Sequence, residues 1–237
     1  MKSDPVLITG VARRVGLHLA RSFLARDIPV IGTYRSEYTS LQELTEHGAE
    51  LHRCDLTDPE QLKQLSKTIT ATHRGLRAII HNASEWLPDN AGMEPAEIMQ
   101  RMMQIHVSAP YQLNLALAPL LQASDHSHTD IIHIGDYVTS TGSRKHIAYA
   151  ASKAAQDNLT LSFAAKLAPK VKVNSIAPAL ILFNEGDDAA YRSKALGKSL
   201  MQREGGLEEI QLAVDYLLES DYITGRILPV DGGRHLK

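Results

Sequence analysis

The chain has 237 residues and sets 25 Lys and Arg against 27 Asp and Glu, a formal net charge of −2. That length fits one large α/β unit or two cramped domains, and a single unit of this size buries an ample core without staples. The near-neutral balance argues against nucleic acid or an anionic membrane as the main partner, an ordinary Gly and Pro content excludes disorder and collagen-like arrays, and a single cysteine, Cys54, excludes an intrachain disulfide and a Cys-rich zinc site.

The first predicted strand, 6–9, carries the apolar core Val6-Leu7-Ile8, too brief for a signal peptide. No apolar run reaches the ~18 residues that span a bilayer, so the expectation is a soluble, cytoplasmic protein. A helical face follows, with Gly16, Leu19, Ala20, Phe23 and Leu24 at i, i+3, i+4, i+7 and i+8. Further strands are expected at 29–34, 50–54, 76–82, 131–135 and 172–176, and their continuous apolarity suits parallel strands covered on both faces. Asp58-Pro59-Glu60 reads as an N-cap, a first-turn proline and an acidic first turn. A long helical stretch, 95–122, contains Pro110, where a kink or bend is expected. Another helix is predicted over 147–168. Six strand–helix alternations without a linker predict a single domain over 1–237, a Rossmann-type, doubly wound parallel sheet flanked by helices. Residues 179–206 break the rhythm and read as an inserted substrate loop or lid with a short helix.

The first strand-to-helix turn, Thr9-Gly10-Val11-Ala12-Arg13-Arg14-Val15-Gly16, has the ingredients of a pyrophosphate site. Gly10 suits a tight turn, Gly16 allows close helix–strand packing, and the helix start offers free N–H groups to an anion. The full G-x-G-x-x-G spacing is absent, and Arg14 stands where a middle glycine would sit. The second strand ends in Tyr34-Arg35-Ser36, where NAD-selective folds place an acid for the ribose hydroxyls. Arg35 instead suits a 2′-phosphate and so favours NADPH.

Tyr149 and Lys153 stand at i and i+4, on one face of a helix. A neighbouring ammonium is expected to favour the phenolate, making the pair an acid or base for a centre that exchanges hydride with a cofactor.

Together these motifs make the chain resemble the short-chain dehydrogenase/reductase family over essentially its whole length. Thr9–Gly16 resembles its nucleotide turn, Asp55-Leu56 its adenine contact, and Asn82-Ala83-Ser84 its Asn-Ala-Gly run. Tyr149 and Lys153 resemble its catalytic pair, Asn174 through Pro178 its strand-six loop, and Asp231-Gly232-Gly233 its C-terminal signature. The resemblance thus implies cofactor contacts at Gly10, Arg14, Val15, Gly16, Arg35, Ser36, Asp55, Leu56, Asn82, Ala83, Ser84, Tyr149, Lys153 and Pro178. It also implies a homotetramer with the 95–122 and 147–168 helices at one interface.

Three departures point to a subgroup. Asp136 replaces the catalytic serine thirteen residues before the tyrosine, Arg14 replaces a turn glycine, and Trp86 lies just past the fourth strand. These features are similar to the pteridine reductases, and most of all to a bacterial branch acting on dihydromonapterin. That resemblance implies NADPH-dependent reduction of 7,8-dihydromonapterin to tetrahydromonapterin, with weaker reduction of dihydrofolate to tetrahydrofolate. Tyr149, Lys153 and Asp136 are then catalytic, and Trp86, Asp136, Tyr149 and Arg14 meet the flat pterin, which stacks well on an indole. Each residue also has a plainer reading: Asp136 as an Asx-turn acid, Trp86 as a core or interface ring, Ser84 as a turn residue, Asp55 as a loop acid. His106 occupies the position of the family's catalytic Asn and either holds a water in its place or packs as a satisfied histidine. His81, His133 and His146 lack metal-ligand spacing, and no metal site is expected. Two other functions stay open: a carbonyl or 3-oxoacyl thioester reductase, and a non-catalytic NADP-binding sensor.

Overall fold

The computed structural model describes residues 4–237. Seven strands form one parallel sheet in the order β3-β2-β1-β4-β5-β6-β7. They are β1 (Val6–Thr9), β2 (Val30–Tyr34), β3 (Glu50–Arg53), β4 (Ala78–His81), β5 (Thr129–Ile134), β6 (Val171–Pro178) and β7 (Ile227–Val230). The helices are α1 (Arg14–Leu24), α2 (Thr39–Glu46), α3 (Pro59–Thr72), α4 (Pro95–Met103), α5 (Ala109–Ala123), α6 (Ile147–Leu167), α7 (Ala189–Leu196) and α8 (Leu207–Glu219).

Successive residues of a strand face opposite sides of the sheet, and both sides are dry. Leu7, Ile79, Ile131 and Val173 pack into one core with residues of α3, α5 and α6. Val6, Ile8, Val30, Ala78, Ile80 and Ile132 pack into a second with residues of α1 and α8. Because β1 pairs with both β2 and β4, the chain winds outward in two directions from it. The crevice at the carboxyl ends of those strands is where such a sheet binds ligands.

Six of the strands and the α1 face lie where the periodicity puts them, and Asp58 caps α3 by accepting from the Glu60 and Gln61 amides at 2.9 and 3.3 Å. Two expectations need correction. The sheet has a seventh strand, β7, which is four residues long, half-exposed and interrupted by Pro229, so it lacks a readable pattern and sits at the edge where a proline is tolerated. The bend in the 95–122 stretch is a π-turn over Gln104–Ser108, and Pro110 lies beyond it in the first turn of α5. Pro110 has no N–H to return to the His106 carbonyl, and the wider turn carries the chain past this gap, with the Ala109 amide reaching back to the Gln104 carbonyl. The 179–206 stretch carries α7, the short helix expected there, and leads from β6 towards α8.

Candidate active site

The glycine turn closes tightly. Gly10 has φ +76°, a conformation that suits glycine, and a Cβ on Gly16 would lie 2.1 Å from the Gly10 carbonyl oxygen. Asn82 ties this turn to the end of β4: its side-chain amide donates to the Thr9 and Gly10 carbonyls, both at 3.0 Å. The Asn82 and Ala83 amides donate in turn to Thr9 Oγ1. Arg14 has a left-handed backbone, with φ +52°. Its guanidinium donates to Asn184 Oδ1 at 2.9 Å and to the Leu182 carbonyl at 3.1 Å, fastening the 179–206 segment to the first turn.

A cavity of about 1080 Å³ opens at this crevice. Gly10, Arg14, Val15, Arg35, Ser36, Asp55, Leu56, Asn82, Ala83, Ser84, Trp86, Asp136, Tyr149, Lys153 and Pro178 all line it, and of the predicted site residues only Gly16 is set back, packed beneath the turn. The α1 N-terminus, Arg13 and Arg35 at one end, and the small residues at Gly10 and Ala83, form a floor and donor set that suit a phosphorylated dinucleotide. Arg35 is not idle: it pairs with Glu85, which also accepts from Arg101 Nε at 2.5 Å, and the two guanidinium groups hold the Glu85 carboxyl down at about 2. Asp55 accepts from the Thr57 amide and hydroxyl at 2.9 and 2.8 Å, so the turn-acid reading describes its contacts even though it lines the cavity.

The chemical centre stands where β5 ends and α6 begins. Asp136 uses its two oxygens separately: Oδ1 accepts the Val138 amide at 2.7 Å and Oδ2 accepts the Tyr149 hydroxyl at 2.7 Å. It is an Asx-turn acid and a tyrosine partner at once. Lys153 is buried and donates to the Ile134 carbonyl at 2.8 Å, with its Nζ 5.9 Å from the Tyr149 ring centre.

The electrostatics reverse the sequence expectation for this pair. Burial, followed by the Asp136 carboxylate, pushes the Tyr149 hydroxyl above the ordinary phenol range, so it stays protonated. Burial pulls Lys153 down to about 8, with Asp136 and Asp157 acting the other way. In this arrangement the Tyr149 hydroxyl keeps its proton and donates it in a hydrogen bond to the Asp136 carboxylate.

Trp86 is 60% exposed on the cavity side and stacks on His146, with ring centres 3.9 Å apart and planes within 15°. It is thus neither a core ring nor loose. His146 is braced by the Leu87 carbonyl at 3.0 Å, and Asp89 accepts the Ile147 amide at the start of α6. The tryptophan loop and the tyrosine helix are consequently joined.

His106 is fully buried and both ring nitrogens are engaged, Nε2 with Ser84 Oγ and Nδ1 with Ser152 Oγ, each at 2.8 Å. The satisfied-histidine reading holds, with partners that no spacing advertises: Ser84, Ser152 and His106 come from a loop, a helix and a π-turn. Glu85, Arg101 and Asn184 were likewise beyond the reach of pattern, because each acts on a partner at least 16 positions away in the chain. His81 and His133 are buried and stacked on each other at 5.1 Å, and no metal-binding cluster occurs among the described residues.

The chain is similar to known proteins over nearly its whole length. The family model described as Enoyl-(Acyl carrier protein) reductase matches residues 10–235. A dihydromonapterin reductase of Enterobacter sp. (strain 638) is 56% identical over 232 residues, covering 98% of this chain and 97% of its own. The dihydromonapterin reductase of Escherichia coli O6:H1 is 52% identical over 236 residues, covering 100% and 98%. Among solved structures, the FolM alternative dihydrofolate reductase 1 of Brucella canis, complexed with NADP, superposes with a TM-score of 0.87 at 26% identity and covers 100% of this chain and 95% of that one.

Proposed function

From the short-chain dehydrogenase/reductase family, to which this chain belongs, we propose that it is an NADPH-dependent dihydropterin reductase that converts 7,8-dihydromonapterin to tetrahydromonapterin and, more weakly, dihydrofolate to tetrahydrofolate. The observation that carries this reading is the 2.7 Å bond from Tyr149 to Asp136 in a cavity that also presents an open indole. When bound, NADPH supplies the hydride. The α1 N-terminus and Arg14 receive its phosphates, Arg35 its 2′-phosphate, and Lys153 its nicotinamide ribose.

The protein's own work is orientation and proton supply. Trp86, stiffened by His146, stacks the planar bicycle and excludes water from one face. Asp136 and Arg14 present polar groups to the pterin edge. Hydride addition to a C=N bond leaves nitrogen needing a proton, and Tyr149 holds one at the right polarity. A carbonyl reductase is less well served: an ionised Asp136 opposes a developing alkoxide. A sensor without turnover has no use for the buried Tyr149–Lys153 pair.

The association reading is a homotetramer. It is supported by apolar side chains left exposed on α4, α5 and α6, among them Met99, Tyr111, Leu115, Ile147 and Leu161. No helix of the described residues is long and apolar enough to cross a membrane. One experiment separates the functional readings: NADPH absorbance followed with dihydromonapterin, dihydrofolate and a simple ketone. Turnover with the dihydropterins is expected; turnover with the ketone alone rejects the proposal, and none at all favours the sensor.

A further inference from the structure

The end of the cavity that carries Arg35 brings together three charged side chains from three separate segments. Arg35 follows β2, Glu85 lies in the loop after β4, and Arg101 stands on α4. Both hydrogen bonds of the Arg101 side chain go to the Glu85 carboxylate, Nε to Oε2 at 2.5 Å and Nη2 to Oε1 at 2.9 Å, a two-pronged contact. Arg35 donates from Nη1 to the same Oε1, and its Nε and Nη2 have no acceptor among the described residues. Glu85 is the fixed member of the trio: its side chain is 12% exposed, against 48% for Arg35.

The charges in this corner conflict. Arg35 suits a 2′-phosphate, whereas a carboxylate is what NAD-selective folds place at the adenosine ribose, where it accepts from the free hydroxyls and repels a phosphate. Glu85 lines the cavity beside Arg35 and is ionised at neutral pH. Left alone with Arg35, it would cancel that cation. The second guanidinium restores a surplus of positive charge and engages both carboxylate oxygens. Arg101 does this from behind, since it is not part of the cavity lining.

We infer that Arg101 is a positioning residue for cofactor choice that never touches the cofactor: by occupying and neutralising Glu85 it keeps Arg35 available to the 2′-phosphate of NADPH, and it withholds from NADH a carboxylate that the ribose hydroxyls would use. The selectivity of the site is thereby set in part from α4, outside the dinucleotide crevice.

The inference rests on the reading that Arg35 receives the 2′-phosphate. Calorimetric titration of the full chain with NADPH and with NADH, in the absence of a pterin, tests both. Arg101→Met should raise the Kd for NADPH about tenfold, the lower end for one charge-assisted contact because the corner is partly exposed, and should leave the Kd for NADH equal or lower. Combining Arg101→Met with Glu85→Gln, which removes the unmasked charge, should recover most of the lost preference. An arginine that merely supported the fold would weaken both cofactors alike, and the second substitution would add to the damage. An unchanged ratio of the two constants in Arg101→Met, parallel losses for both cofactors, or no recovery in the double variant overturns the inference. Arg35→Ala separates it from its premise. A ratio unchanged there removes both, whereas a ratio that collapses there but stands in Arg101→Met removes this inference alone.

Discussion

The Tyr149 hydroxyl donates to Asp136 Oδ2 across 2.7 Å, and the other oxygen of the same carboxylate anchors the Val138 amide at an equal distance. The aspartate is therefore held by backbone on one side and holds the Tyr149 hydroxyl on the other. Removing the phenol oxygen leaves the carboxylate and its turn in place. Tyr149→Phe should lower kcat by about 10²- to 10⁴-fold, the usual contribution of a general acid, with NADPH affinity nearly unchanged. Stopped-assay kcat and a fluorescence titration through Trp86, the only tryptophan in the chain, measure the two separately. Substantial residual turnover would move the proton donor elsewhere.

A serine at 136 can still cap the Val138 amide but cannot reproduce the charged partner of Tyr149. Asp136→Ser should reduce kcat/KM for the dihydropterin by about 10- to 100-fold, the cost of losing a hydrogen bond to a charged group, and should shift NADPH affinity far less. Equal losses in both would make the residue a turn acid and nothing more.

Arg35 meets the cavity with Glu85 at its back, and Glu85 is shared with Arg101. Arg35→Ala should erase most of the preference for NADPH over NADH, a factor of roughly 10 to 150 for one charge-assisted contact. The ratio of the two specificity constants is the measurement, and an unchanged ratio rejects the assignment.

Acid should unfold this protein through its core. Burial lowers His81 from 6.5 to about 4, and His133 beside it is also held well below its ordinary range. Between pH 6.5 and 4 the unfolded chain therefore binds more protons at these sites than the folded one, so stability is full above pH 6.5 and falls as pH drops through that window. For His81 alone the loss is up to about 3 kcal/mol. His81→Gln, which can still donate to Asn114 Oδ1, should flatten this part of the Tm-against-pH curve; an unaltered slope places the acid sensitivity elsewhere.

Six strand positions, the parallel doubly wound class and the residues that line the cavity were legible because they follow from local rules. Val6–Thr9 carries the apolar run Val6-Leu7-Ile8, Asp58-Pro59 is a cap, and Tyr149 with Lys153 needs only a helix to share a face. What escaped depends on contacts between distant segments. Ile227–Val230 becomes a strand because β6 offers it an edge, and the protonation of Tyr149 is decided by burial and by Asp136 rather than by the lysine four positions on. The serine–histidine chain behind the tyrosine joins three elements whose separations carry no periodicity.

Position 14 binds two demands into one residue. An arginine there twists its own backbone into a left-handed form that disfavours any side chain, at a cost of roughly 1–2 kcal/mol, yet its side chain is what latches the loop around Asn184. Replacement by glycine would ease the twist and unlatch the loop together, so this corner of the molecule surrenders robustness for reach: a sturdier variant should also be one whose 179–206 segment has lost its tie to the first turn.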